Sequence, residues 1–142
     1  MNVSARTEYA CLAVLHLAAR YGTDEPVRVA AIAESQGIPS HFLVQILLQL
    51  KGAGLVSSTR GAAGGYHLVR DPAAITLADV MRAMEGGDHQ VTRSCNRETE
   101  LSRALFHAWN DVALVQQEML SSTTFQDLLE RSASGAEQMY YI

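Results

Sequence analysis

Across residues 29–69 the spacing of apolar positions changes twice, and each change marks an element. Residues 29–36 (VAAIAESQ) read as a small-residue helix that stops at Gly37. Gly37-Ile-Pro39 makes a turn, because Gly tolerates positive φ and Pro39 disfavours a helical conformation at Ile38. Ser40 stands where an N-cap belongs. Leu43, Ile46, Leu47 and Leu50 then recur at i, i+3, i+4 and i+7, so one stripe of a second helix is apolar. The opposite stripe carries His41, Gln45 and Gln49, which are polar and free of carboxylates. After Lys51-Gly-Ala-Gly54 the period falls to two. Residues 55–60 and 66–69 are rich in β-branched and aromatic side chains and read as a hairpin around Gly61, Gly64 and Gly65.

This order predicts a winged helix-turn-helix within a mainly α fold carrying one small β-hairpin. A helix with a buried leucine face and a carboxylate-free polar face suits the DNA major groove. Arg60, at the base of the wing, is placed to enter a narrow minor groove. The glycines at the tip let the backbone approach another surface. The expected contact set is Ser40, His41, Phe42, Gln45, Gln49, Arg60, Gly61, Gly64 and Gly65, with double-stranded DNA as partner. Winged helices also serve as protein-interaction modules, and that class stays open.

Elsewhere the pattern is helical. Residues 4–20 form a helix with Tyr9, Leu12, Leu15 and Ala19 inward, and Gly22 lies just past its end. Residues 27–29 can pair briefly with the wing. Asp71-Pro72 ends the hairpin, and Thr76 with Asp79 makes a capping-box pattern opening a short helix through Glu85. Leu77, Val80, Met81 and Met84 give that helix its apolar stripe, and Gly86-Gly87 ends it. Residues 88–99 have almost no apolar content and read as a loop. Leu101, Leu105, Ala108, Val112, Val115 and Met119 are then spaced 4, 3, 4, 3, 4, a heptad seam flanked by Trp109. Trailing a winged helix, such a seam is expected to cross its counterpart in a second subunit, so that a two-fold dimer meets a palindromic site. Thr124 and Asp127 open a last short helix to Arg131. The predicted organisation is a DNA-binding domain over 1–87, a loop over 88–99, a dimerisation helix with a short final helix over 100–131, and a frayed tail over 132–142.

Composition sharpens this in two ways. The chain has 142 residues and a net charge of −4, which is unexpected for a DNA binder. Residues 1–70 hold six Lys/Arg against four Asp/Glu, giving +2, whereas 71–142 hold five against eleven, giving −6. The nucleic-acid face therefore belongs to the first half. No apolar run reaches the roughly 18 residues needed to span a bilayer, and Arg6 and Glu8 break any resemblance to a signal peptide. A soluble cytoplasmic protein is expected. No nucleophile–base pair, phosphate loop or metal triad appears, so an enzyme is not expected. Two cysteines, Cys11 and Cys95, are too few for a disulfide framework. Cys11, beside Leu12 and Leu15, reads as a small core residue. Cys95 lies between Arg93 and Arg97, a setting that favours thiolate and makes 88–99 a candidate sensor loop.

The strings 38–46 (IPSHFLVQI), 54–61 (GLVSSTRG), Gly64-Gly-Tyr66 and 75–79 (ITLAD) resemble the Rrf-type bacterial regulators, the family of IscR, NsrR and CymR. The resemblance covers roughly residues 1–131. It implies a homodimeric winged-helix regulator, with His41, Phe42 and Gln45 on the family's major-groove contacts and Arg60 on its minor-groove contact. Val44 departs from an acidic residue common just before that glutamine. Cluster-bearing members place three cysteines in the loop before the dimer helix, and here only Cys95 is present. No cofactor is expected from the residues themselves. The resemblance keeps open a [2Fe–2S] cluster with an atypical ligand set drawn from Cys95, Glu8 and His107 or His89. The other sensor reading is a redox-active Cys95, which stops at sulfenic acid or pairs with Cys11 of the partner subunit.

Overall fold

Helix α1 (Ala5–Ala18) is the element around which the others gather. In the computed structural model residues 1–23, 25–86 and 91–140 are described, with side chains through Gly135. Among them α1 is followed by α2 (Val29–Gln36), α3 (Ser40–Gly52), strands β1 (Val56–Thr59) and β2 (Gly65–Leu68), a 3-10 turn at Pro72–Ala74, α4 (Leu77–Glu85), α5 (Glu100–Ser122) and α6 (Phe125–Tyr140). The fold is mainly α with one antiparallel hairpin, in which Val56 faces Leu68 and Thr59 faces Gly65. Val27 adds a one-residue bridge to the wing, its N–H donating to Tyr66 O at 2.8 Å and its carbonyl accepting from Tyr66 N at 2.7 Å.

Ser4 caps α1, its hydroxyl accepting from Thr7 N at 3.2 Å. The inward face of α1 differs from the expected one. Thr7, Ala10, Ala13, Val14, Leu17 and Ala18 are buried, whereas Tyr9, Leu12 and Leu15 are partly buried shoulders and Ala19 is exposed. The cause is crowding. α1 packs against α2, α3, α4, α6 and β2, and where several elements converge small residues take most of the buried positions beside Val14 and Leu17. Two further boundaries shift. Ser40 is the first residue of α3 and makes no cap hydrogen bond, because Pro39 holds the N-cap position. The expected tail over 132–142 is helical as far as Tyr140, since Ala133, Ala136, Glu137, Gln138 and Met139 are good helix formers and Gly135 costs only about 1 kcal/mol.

α4 and α6 begin side by side with the same device. Thr76 and Asp79 exchange bonds of 2.9 and 3.2 Å, and Thr124 and Asp127 exchange bonds of 2.9 and 3.0 Å. Leu77 N donates to Thr123 O at 3.0 Å and Phe125 N to Ile75 O at 2.9 Å, which ties the two helix starts together. The Thr124 backbone N–H, its hydroxyl and more weakly Arg131 hold the Asp127 carboxyl below its ordinary range. This cap is therefore complete above the ordinary carboxylate pKa and is lost as pH falls through the depressed value.

Phe125 follows that cap and is fully buried in the hydrophobic core, where α6 packs against α1 and the 3-10 turn. Nothing in its local pattern announces this, since it stands alone between two threonines and Gln126. Phe125→Ala removes the largest fully buried side chain and is expected to lower stability by about 3–5 kcal/mol. Urea denaturation followed by circular dichroism measures it.

Candidate nucleic-acid interface and sensor segment

The turn between α2 and α3 forms as its residues require. Gly37 is left-handed at φ 66, and Ile38 is buried. Leu43, Ile46, Leu47 and Leu50 are all fully buried, which fixes the rotation of α3 about its own axis. Ser40, His41, Phe42 and Gln45 are exposed, and the His41 and Phe42 rings lie against each other at a 38° tilt, with centroids 4.2 Å apart. Gln49 is not on this outward face. Its Oε1 accepts from Arg6 Nη2 at 2.6 Å, and its Nε2 donates to the Ala83 and Met84 carbonyls at 3.0 and 3.3 Å. The amide is committed to holding α3 against α1 and the end of α4. It therefore leaves the set of groups offered to DNA. The fourth member of the outward stripe is Leu48.

The wing is braced from within. A Cβ on Gly64 would lie 2.2 Å from Thr59 O, and one on Gly65 would lie 2.5 Å from Val27 O. Gly61 has φ 109. All three glycines are thus required by the hairpin itself, whatever it approaches. The Arg28 guanidinium donates to the Ala62 carbonyl across the tip, and Lys51 Nζ donates to Ser58 Oγ at 2.7 Å. Arg60 is exposed, one residue beyond β1. Arg28, Lys51 and Arg60 put positive charge around the wing, in the basic half of the chain.

α5 is a 23-residue helix that buries no residue among those described. Thr99 caps it, and among the described residues it packs chiefly against α4. Leu101, Leu105, Trp109, Val112, Val115 and Met119 are exposed, Leu101 at 84% and Val112 at 56%. Ala108 is exposed as well, and Leu114 extends the apolar surface beyond the seam. Near the C-terminal end of α5, Leu120 joins Cys11, Leu12 and Met81 in an apolar groove of about 300 Å³ with Glu8 among its lining residues.

The sensor candidates separate. Cys95 is exposed. Arg93 is drawn to other groups, its guanidinium 4.9 Å from the Phe106 ring centre and 3.6 Å from Glu98. Cys11 is largely buried at the groove, and burial pushes its thiol up to about 11. That disfavours Cys11 as a ready disulfide partner. His107 lies 3.7 Å from Asp111 on the exposed side of α5, and Glu8 sits on α1. His89 lies outside the described residues. Among the described residues no three His, Cys, Asp or Glu side chains converge as a metal site. Iron–sulfur clusters are held mostly by several thiolates. With two cysteines in the chain, one of them buried and neutral, these donors do not fit a [2Fe–2S] cluster.

A helix-turn-helix, an arginine-bearing wing and a long apolar helix left bare define a winged-helix transcriptional regulator. The chain belongs to the Rrf2 family, described as iron-dependent transcriptional regulators, whose pattern matches residues 3–131. It is 34% identical over 143 residues to the HTH-type transcriptional regulator CymR of Bacillus subtilis, with both chains covered in full. The solved structure of that protein, described as the global cysteine regulator, superposes with TM-score 0.81, covering 92% of this chain and 98% of the other. IscR of T. potens superposes with TM-score 0.74 at 32% identity, covering 93% of this chain and 88% of the other. The oxidized form of Staphylococcus aureus CymR gives TM-score 0.72 at 28% identity, covering 90% and 95%. Among the described residues no helix is long and apolar enough to cross a membrane.

The two thiols should differ sharply in reactivity. With its pKa near 11, Cys11 is thiolate in only about one molecule in a thousand at pH 8. Iodoacetamide at pH 8 is expected to label Cys95 first and Cys11 only on unfolding, read by mass spectrometry of tryptic peptides. Equal labelling of both in the folded protein would contradict the burial of Cys11.

Proposed function

We propose that the protein is a homodimeric, sequence-specific regulator of transcription. Two α3 helices read the major grooves of a palindromic operator, and each wing places Arg60 in the adjacent minor groove. The observation that carries this is the pairing of two surfaces. One is the carboxylate-free outward face of α3, and the other is the bare apolar face of α5. A 23-residue helix is about 34 Å long, and so much apolar side chain in water is stabilised by a second copy of the same helix. The residues offered to DNA are Ser40, His41, Phe42 and Gln45 on α3 and Arg60 with Gly61, Gly64 and Gly65 on the wing. Leu101, Leu105, Ala108, Val112, Val115 and Met119 form the dimer seam. The regulator acts on DNA in the cytoplasm and has no catalytic role.

The signal enters through the segment before α5. The Cys95 thiolate attacks one oxygen of peroxide, the O–O bond breaks, and hydroxide leaves as the sulfenic acid forms. The CymR of Staphylococcus aureus has been solved in an oxidized form. The exposure of Cys95 and the poor fit of the donors to a cluster both favour a thiol over bound iron.

Gln45→Ala is expected to weaken operator binding by about 1–3 kcal/mol and relax preference at one base position. Arg60→Ala is expected to weaken binding where the flanking sequence is A·T-rich. Electrophoretic mobility shifts on operator variants measure both, and unchanged binding in both variants removes these residues from the interface.

Val112→Glu with Val115→Glu buries charge at the seam. Light scattering should then show monomers, with operator affinity reduced because the half-sites are no longer linked. A double variant that remains dimeric refutes the seam.

Peroxide treatment should change operator affinity of the native protein and leave Cys95→Ser unaffected. Identical responses in the two proteins exclude Cys95 as the switch.

A further inference from the structure

The outward stripe of α3 carries a chemistry that hydrogen bonding does not use. His41, Val44, Gln45 and Leu48 stand at i, i+3, i+4 and i+7, so they form one row. The buried leucine face opposite and the clamp on Gln49 hold that row outward and prevent α3 from rolling. Two of its four members are apolar and exposed, Val44 at 42% and Leu48 at 55%. Neither belongs to the hydrophobic core.

In the major groove the C5-methyl of thymine is the apolar feature, and the other base-edge groups that carry sequence are donors or acceptors. A valine or leucine against a donor or acceptor strips its water and returns no hydrogen bond. Against a methyl group it buries apolar surface on both sides. We propose that Val44 and Leu48 read thymine methyl groups, flanking the hydrogen bonds made by Gln45. The inference rests on α3 being the DNA-reading helix, and it adds which base the apolar positions select.

Geometry narrows it further. A glutamine amide pairs bidentately with adenine N7 and N6, and Val44 is the immediate neighbour of Gln45. The half-site therefore has an A·T core, in which the amide takes adenine and the valine takes a thymine beside or opposite it. Val44 and Leu48 are four residues apart, about 6 Å along the helix axis. Base pairs are stacked at about 3.4 Å. With α3 lying along the groove, the two methyl contacts fall about two base-pair steps apart.

Replacing thymine by deoxyuridine tests this, because it deletes the methyl group and leaves every hydrogen-bonding group in place. The full-length protein first selects its operator from a random duplex pool. Each thymine of the enriched half-site is then replaced singly, and affinities are compared with those of Val44→Ala and Leu48→Ala. Both side chains are exposed, so the variants should melt like the native protein.

The expected result is about a fourfold loss at each of two thymines and no change at the others. Val44→Ala should abolish the thymine–uracil difference at one of these positions and Leu48→Ala at the other. Neutral replacement at every thymine of a tightly bound operator overturns the proposal and leaves the DNA-reading role of α3 intact. So does discrimination that survives in both variants. Failure to enrich any sequence overturns the DNA-reading role itself, and this proposal with it.

Discussion

The structure depends on α1 being narrow. Ala10 and Ala13 have no exposed surface, and Val14 and Leu17 complete a face on which α3, α4 and α6 converge. An interior packs near crystalline density, so adding even a methylene at such a crossing displaces whole elements. The wing is tied to the same centre through β2 and through the Val27 bridge. α5 does not share in this packing. The reading body is accordingly packed around α1, and among the described residues α5 contributes nothing to its buried core.

Within the body, orientation is set by polar groups that also touch the segment leading to the sensor. Gln49 links α3 to Arg6 on α1 and to the last carbonyls of α4. Thr7, buried on α1, donates to the carboxylate of Glu85, the last residue of α4, at 2.9 Å. The end of α4 is thus held by the two helices that aim the reading stripe. A displacement of the α4 end therefore acts on a point already bonded to α3, which gives it a short physical route to the DNA face.

Much of this is legible in the sequence where one spacing decides one face. Leu43, Ile46, Leu47 and Leu50 have a single helical solution, and Thr76 with Asp79 and Thr124 with Asp127 announce their caps. Gln49 fails for a reason of angle. Steps of four advance 40° beyond a full turn each time, so two of them carry Gln49 about 80° away from His41, while Leu48 returns to within about 20°. The polarity of Gln49 then suggested a solvent face, although its partners are Arg6 and two main-chain carbonyls remote in sequence. α1 fails differently, because a helix packed from several sides has no single apolar stripe for its larger residues to trace. Phe125 and the groove beside Cys11 are set by which elements meet, and no local pattern encodes that.

The paired helix starts of α4 and α6 have a mechanical consequence. Because Leu77 N bonds Thr123 O and Phe125 N bonds Ile75 O, the C-terminal end of α5 is anchored to the start of α4. The chain between these points is a loop closed at its base, with α5 as its stiff arm and its N-terminal end farthest from the anchor. A tilt of about 5° about that fulcrum moves the far end of the roughly 34 Å helix by about 3 Å. A change of one or two atoms in the segment entering α5 is then felt most at the tip of a lever, at the Leu101 end of the seam.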